Sequence, residues 1–290
     1  MGSQKRVLIV GGTGFVGSNL AKDLQSTHNV TCTYHKEFTR LKSVEYLPFS
    51  ELGDKERCKI LIQKTEPDVM IYAVGSNDPR ESEKDARLTQ HLNSVGATHL
   101  LAASDPKTKF IYLSSSWIFS GIDGNFSESD VAIPSSQLGK AKLGAENYIR
   151  SRSTNHLIIR ASPLLGRGPV DHPSWMDLLR ESDLIKKKSA LSQHSLHNPV
   201  QINLLSEMIL RSIHLDVKNK TLHLGGLTKL SLFEAAQLFL KEFNFDASLV
   251  EANDAGAHAE PADYSLNFSE TLKTLQMSPI RFEDALASFK

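Results

Sequence analysis

The run Arg6-Val7-Leu8-Ile9-Val10-Gly11-Gly12-Thr13-Gly14-Phe15-Val16-Gly17-Ser18-Asn19-Leu20 constrains this chain more than any other stretch. Val7 to Val10 form a short apolar run bounded by glycine, the pattern of a parallel strand covered on both faces. Gly11, Gly14 and Gly17 follow at three-residue steps and open a segment that reads as a helix. Glycines at those steps permit a tight turn, a close backbone approach to a pyrophosphate, and close packing of helix on sheet. The free N–H groups and the positive dipole end of that helix favour an anion. A glycine triplet alone is as readily a flexible turn. The strand before it and the helix after it supply the context for a dinucleotide cradle of Gly11, Thr13, Gly14, Phe15, Val16 and Gly17.

The segments that follow keep alternating. Val30-Thr31-Cys32-Thr33-Tyr34 reads as a second strand and runs into His35-Lys36, with Arg40 a few residues on. An NAD-selective site usually places a carboxylate at the end of this strand to hold the ribose hydroxyls, whereas cationic groups accept a 2′-phosphate. His35, Lys36 and Arg40 therefore favour NADP(H) over NAD(H). A helix is expected over residues 55–65, then a buried strand over 68–75. The strand's last residues, Ala73, Val74 and Gly75, leave room for a cofactor in the crevice at the strand ends. A helix over 85–103 contains Asn93. The strand at 109–113 delivers Ser114-Ser115-Ser116-Trp117-Ile118-Phe119-Ser120-Gly121, and a helix over 138–151 and a strand over 157–160 complete the series. This predicts an α/β chain with a Rossmann-type doubly wound parallel sheet. The division expected is a dinucleotide-binding domain at 1–160 and a smaller substrate-binding lobe at 161–290, parts of which can return to the main sheet. In the lobe, helices are expected near 175–184, 204–213 and 232–243, with a short strand at 221–224.

Composition narrows the function classes. Acidic and basic side chains balance at 33 each in 290 residues, so no global field draws the protein to nucleic acid or to a membrane surface. No apolar span approaches membrane length, and Gln4-Lys5-Arg6 leads straight into a strand, so a cytoplasmic protein is expected. The two cysteines, Cys32 and Cys58, lack metal-like spacing and read as reduced, structural thiols; no metal is expected.

Taken together, the glycine loop, Pro67-Asp68-Val69, residues 113–121, residues 139–146 and the tail at 266–289 resemble the extended short-chain dehydrogenase/reductase superfamily. Within it the chain is most similar to the dTDP-4-dehydrorhamnose reductase group, which also includes the regulatory β subunit of methionine adenosyltransferase. The reductases' Ser-Thr-Asp-Tyr-Val-Phe-Asp-Gly pattern lines up with Ser114 to Gly121, and their Tyr-Gly-x-x-Lys-Leu-x-x-Glu pattern with Leu138 to Glu146. The resemblance implies that Ser115 orients a carbonyl oxygen. It also implies that Lys142 holds the cofactor ribose and lowers the pKa of a tyrosine by its charge. That tyrosine transfers the proton as hydride moves. Its position here is Leu138, and losing general acid–base help typically lowers the rate by about 10²–10⁴-fold.

No nearby group replaces it from the pattern alone. Tyr148 lies six residues past Lys142, roughly 240° round a helix, and His172, His194 or His197 would have to enter the cleft from the lobe. The substrate side also departs from the family. Ser116 replaces an aspartate, and Trp117 replaces a frequent tyrosine and offers either a stacking surface for a substrate ring or a plain packing group. Arg167, in a glycine-flanked loop, is the remaining anion-binding candidate. Glu260-Pro261 stands where the reductases carry Arg-Pro, which would set a carboxylate against a sugar-nucleotide diphosphate.

Two readings follow. The first is an atypical NADP(H)-dependent oxidoreductase or epimerase acting on a sugar-nucleotide-like carbonyl. The second is a catalytically silent cofactor-binding subunit that regulates a partner enzyme, resembling the methionine adenosyltransferase β subunit. Lys142 does not separate them, since ribose binding alone requires it. Ser115 beside the cofactor site inclines the sequence to the first. By analogy with the superfamily, the helix from Leu138 is the surface for a homodimer.

Overall fold

The computed structural model describes residues 4–36, 38–75, 78–253, 262–287 and 289. The first half lays down β1 (Arg6–Val10), α1 (Phe15–Leu24), β2 (Asn29–Tyr34), β3 (Glu45–Pro48), α2 (Lys55–Thr65), β4 (Val69–Tyr72), α3 (Pro79–Lys84), α4 (Ala86–Gln90), α5 (Gly96–Ala103), β5 (Lys109–Ser115), α6 (Gln137–Arg152) and β6 (His156–Ala161). The second half adds β7 (Leu164–Leu165), α7 (Trp175–Ile185), β8 (Ser189–Ser192), β9 (Ser195–His197), β10 (Val200–Gln201), α8 (Ile202–His214) and β11 (Lys220–Leu224). It closes with β12 (Leu230–Ser231), α9 (Leu232–Glu242), β13 (Val250–Asn253), β14 (Ala262–Asp263), α10 (Ser269–Leu275) and α11 (Phe282–Ala287).

Seven strands form one parallel sheet in the order β11-β6-β5-β4-β1-β2-β3. The chain winds outward from β1 in both directions, so the strand order reverses between β1 and β4. The crevice beyond the carboxyl ends at that reversal is where doubly wound folds take their ligands. Alternate residues of β1 enter different cores. Val7 and Ile9 pack with α1 and α8, while Leu8 and Val10 pack with α2, α5 and α6. That two-sided burial is why the strand reads as an unbroken apolar run. β11 belongs to this sheet and α8 covers its α1 face, so the chain beyond residue 161 contributes to the sheet as well as to a second hydrophobic cluster. That cluster is built from Leu165, Met176, Phe239, Val250 and Phe282 among others.

Three features differ from the pattern-based expectation. β3 is a half-polar tetrapeptide, Glu-Tyr-Leu-Pro, that pairs on the sheet edge with β2. The helix expected over 85–103 is interrupted by one π-helical turn, His91–Val95. Such a turn shifts backbone carbonyls out of the regular ladder, and here tyrosines of the sheet receive them. Tyr72 Oη donates to Leu92 O at 2.7 Å, and Tyr112 Oη donates to Asn93 O. Gly96 makes room for the Tyr72 hydroxyl, into which an added Cβ would run. Finally, α3 precedes that helix, started by Pro79 and the Asp78 cap.

Glycine is required at the β1–α1 turn for different reasons at each position. Gly11 has φ +84°, and a Cβ there would lie 2.8 Å from Val74 Cγ2. At Gly17 a Cβ would drive into the carbonyl oxygen of Gly11. At Gly14 it would meet only Gly11 O, at 3.7 Å. Gly17→Ala is therefore expected to destabilise the protein by roughly 1–3 kcal/mol, the range for overpacking. Gly14→Ala should change its denaturant midpoint far less, and equal losses for the two variants would contradict this account of the turn.

Candidate functional site

The site is assembled from the turn after β1, the ends of β2, β4 and β5, and the first turns of α6. The turn is anchored to β2: Gly11 N–H donates to Thr33 Oγ1 at 3.0 Å and Gly12 N–H to Thr33 O at 3.0 Å. Gly14 is the N-cap of α1 and supplies no side-chain cap, so the first N–H groups of the helix, on Phe15, Val16 and Gly17, are left for a ligand or water. The open space over Gly14, where a Cβ would find room, suits a pyrophosphate lying on this turn. The observed backbone fits the group that the sequence pattern implies.

Across the reversal point, Ala73, Val74 and Gly75 leave β4. Gly75 has φ +151°, and a Cβ on it would strike Asn93 Oδ1. Asn93 is fully buried in the π-helical turn; its Nδ2 donates to Thr89 O at 3.1 Å, while Oδ1 has no partner among the described residues. The π turn thus holds a buried acceptor against the cradle's second wall. At the end of β2, His35 and Lys36 are exposed. The Arg40 guanidinium sits over the rings of Tyr34, Phe38 and Tyr46 at 5.5, 5.4 and 5.8 Å. Stacking of this kind fixes a guanidinium plane while leaving its N–H edge available.

α6 begins at a Ser136 cap, whose Oγ accepts from Gly139 N–H at 3.1 Å. Gly139 lets the helix abut the Trp117 carbonyl, since a Cβ there would overlap that oxygen. Leu138 and Lys142 are one turn apart on the same face, and both are buried. Lys142 Nζ donates to Leu113 O at 2.9 Å and lies 5.7 Å from the Tyr112 ring centroid. Burial pushes its pKa down to about 8, the nearby Glu146 carboxylate only partly offsetting this. Glu146 itself pairs with Arg160, Nη2 to Oε2 at 2.8 Å. Burial alone would raise its pKa, but the Arg160 hydrogen bonds and charge outweigh it and hold the carboxyl below its ordinary value. This ion pair pins α6 to β6 behind the site.

Ser115 ends β5 with its Oγ accepting from Trp117 N–H at 3.2 Å, so its own proton is available to a ligand. Ser116 is buried, with its Oγ unpartnered among the described residues. The Trp117 ring does not stand open. It packs 4.4 Å from Tyr264 and 5.1 Å from His197, and those two stack on each other at 5.4 Å. Tyr264 and His197 are both fully buried. Burial pushes the His197 imidazole down to about 4, against a partial offset from Asp263, so it is neutral at physiological pH. Arg167 lies elsewhere: its carbonyl accepts from Asn19 Nδ2 at 2.9 Å and its Nη2 donates to Phe289 O at 3.3 Å. It borders α1 rather than the Ser115–Trp117 turn. His172 is exposed in the same loop, and Glu260 lies outside the described residues. Tyr264 was not legible as a site residue, because only the pairing of β14 with β9 brings it to Trp117.

A family model, RmlD substrate binding domain, matches residues 5–289. This chain belongs to that family. Among curated proteins, methionine adenosyltransferase 2 subunit beta of Mus musculus is 26% identical over 292 residues, covering 96% of this chain and 85% of that protein. The probable low-salt glycan biosynthesis reductase Agl14 of Haloferax volcanii is 24% identical over 296 residues, covering 97% of this chain and 96% of that one. Among solved structures, dTDP-4-dehydrorhamnose reductase of Bacillus anthracis, in complex with NADP, superposes with a TM-score of 0.82 at 19% identity, covering 99% of both chains. MoeE5, in complex with UDP-glucuronic acid and NAD, superposes at 0.80 with 17% identity over 97% and 96%. At these identities the structures establish the shared fold.

Among the described residues no helix is long and apolar enough to cross a membrane, and no cluster of three or more His, Cys, Asp or Glu side chains is placed to hold a metal. Both cysteines are free and buried.

Lys142 makes the site's electrostatics measurable in this RmlD-family chain. Its folded-state pKa lies below its unfolded-state value, so between them the unfolded chain keeps a proton that the folded chain has released. Stability therefore rises with pH through that window, and the burial penalty is present in full below about pH 8. Lys109, also pushed down to about 8 by burial, acts in the same direction and is unchanged in a Lys142 variant. Lys142→Met should be more stable than the wild type at pH 7, by on the order of 2–3 kcal/mol, and should lose that advantage as pH rises past the unfolded-state value. A destabilised variant at pH 7 would contradict the buried-cation account.

Proposed function

We propose that this chain binds a nicotinamide dinucleotide, NADP(H) in preference to NAD(H), and holds it as a ligand within a regulatory subunit of a partner enzyme. The observation that carries the reading is Leu138: a fully buried hydrocarbon one turn before Lys142, on the face where proton transfer needs an acid. The N–H groups of Phe15, Val16 and Gly17 would hold the pyrophosphate, with Gly14 giving close approach and Gly11 and Thr13 shaping the turn. Ala73 to Gly75 and the Asn93 acceptor would line the far wall. Lys142, with one hydrogen bond to Leu113 O, would keep further N–H donors for ribose hydroxyls. Lys36 and Arg40, with His35 beside them, would face the 2′-phosphate.

The bound cofactor would supply a hydride, and a carbonyl that accepts one must also take up a proton. Ser115 Oγ–H can orient a carbonyl oxygen, but it is a poor acid at neutral pH. Leu138 has no proton to give. The Trp117 ring, two residues after Ser115, is packed against His197 and Tyr264, and a neutral His197 lacks the labile proton of an imidazolium. A ligand role keeps every cofactor-facing group and needs none of the missing ones. The similarity to methionine adenosyltransferase 2 subunit beta over nearly the whole chain supports the same reading.

A second reading, reduction of a sugar-nucleotide-like carbonyl, is favoured by Ser115 and by the similarity to the archaeal reductase. Titration calorimetry combined with affinity purification separates the two. The expected result is that NADPH binds at least about 10-fold more tightly than NADH, the scale of one charge-assisted contact, and that Lys36→Ala with Arg40→Ala removes the preference. A partner enzyme should co-purify in stoichiometric amount. A lone oligomer of this chain that turns over a 4-keto sugar nucleotide at about 1 s⁻¹ or faster would overturn the ligand reading in favour of the reductase.

A further inference from the structure

The loop that carries Arg167 has a role the family pattern does not assign. After β7 the chain leaves at Gly166, where an added Cβ would lie 3.4 Å from Phe15 Cε2, against the first residue of α1. Asn19 Nδ2 then ties the Arg167 carbonyl to α1 at 2.9 Å while also donating to Phe15 O at 2.8 Å. At the far end the loop is anchored to α7: Gly168 N–H and Ser174 N–H both donate to Asp177 Oδ2, at 2.6 and 2.9 Å. Between these anchors Val170 projects into solvent, 90% exposed, and His172 N–H closes a turn on Pro169 O at 3.0 Å. Among the described residues the tip makes one further hydrogen bond, to a segment far from it in sequence. Asp171 Oδ2 accepts from Thr39 N–H at 3.1 Å, in the segment after β2 and next to Arg40. Residues 166–173 thus form a strap from the start of α1 to the segment after β2.

That destination ties a carboxylate to the residue next in sequence to Arg40, one of those offered for a 2′-phosphate. We propose that Asp171 is a specificity-determining latch. Its carboxylate holds Thr39 N–H, one residue from Arg40, and would repel a 2′-phosphate brought to that segment, so a 2′-phosphorylated dinucleotide must displace it and release the strap, while an unphosphorylated one binds beneath the closed strap. A carboxylate and a phosphate are both anions, and bringing the phosphate to the segment that already carries the Asp171 carboxylate incurs like-charge repulsion. The latch has a single hydrogen bond at an exposed tip, so a stronger competing anion can open it. Opening would bare the Arg167–Gly168 bond, whose arginine carbonyl is otherwise held by Asn19.

This inference rests on the dinucleotide-binding reading above. The test is to measure the Kd of NADPH and NADH for wild type, Asp171→Asn and Asp171→Ala, and to follow tryptic cleavage after Arg167 in the wild type with each nucleotide. Asp171→Asn keeps an acceptor for Thr39 N–H and removes only the charge. Both variants should bind NADPH more tightly, on the order of 10-fold, with NADH changed much less. NADPH, and not NADH, should accelerate cleavage after Arg167 in the wild type. An unchanged NADPH-to-NADH affinity ratio in both variants, or equal cleavage with the two nucleotides, would overturn the latch while leaving cofactor binding intact. Failure of either nucleotide to bind the wild type would overturn the reading beneath it as well.

Discussion

The contact of Gly17 with the carbonyl of Gly11 is the constraint on which the rest of this structure depends. It brings the first turn of α1 directly onto the end of β1, with no side chain between helix and strand. Because the helix starts so close to the strand, its uncapped N–H groups emerge at the reversal point of the sheet rather than over its face. The turn is further fixed by Thr33, which takes N–H donors of Gly11 and Gly12 through its side chain and backbone. An anion cradle, its second wall at Gly75 and Asn93, and a basic edge after β2 follow from that placement.

Much of the framework was legible because its physics is local. Strands covered on both faces must be apolar throughout, which marks Val7–Val10, Val69–Tyr72 and Leu157–Ile159, and glycine and cap residues mark where helices begin. β3 escaped notice because an edge strand of four residues, two of them polar or proline, carries neither alternation nor an apolar run. The π-helical turn was illegible for a different reason. It exists because two tyrosines on separate strands, Tyr72 and Tyr112, present hydroxyls to carbonyls of residues 92 and 93, and no pattern within the helix announces that.

The site divides in the same way. The residues expected to face a cofactor lie in contiguous motifs, and the structure brings Gly11 against Ala73 and Val74, and Gly75 against Asn93. The carbonyl-facing side depends on pairings between distant segments. Trp117 was readable either as a stacking surface or as a packing group, and β9 and β14 carry His197 and Tyr264 onto it. Arg167 was readable as a substrate contact, yet Asn19 and Phe289 hold it on the α1 side. The proposed ligand role rests on Leu138, legible in the sequence and buried in the structure, and on the packing of Trp117 against His197 and Tyr264, which only the structure shows.

The central claim is that the nucleotide is held where no proton is available for carbonyl reduction. The most direct measurement is a single-turnover experiment. The absorbance of protein-bound NADPH is followed after rapid mixing with a 4-keto sugar nucleotide, and again with Leu138→Tyr. The account predicts that the reduced-nicotinamide absorbance of the wild-type complex persists unchanged over the period in which a reductase of the family would consume it. Rapid loss of that absorbance in the wild type, with stoichiometric formation of the 4-hydroxy sugar, would contradict it.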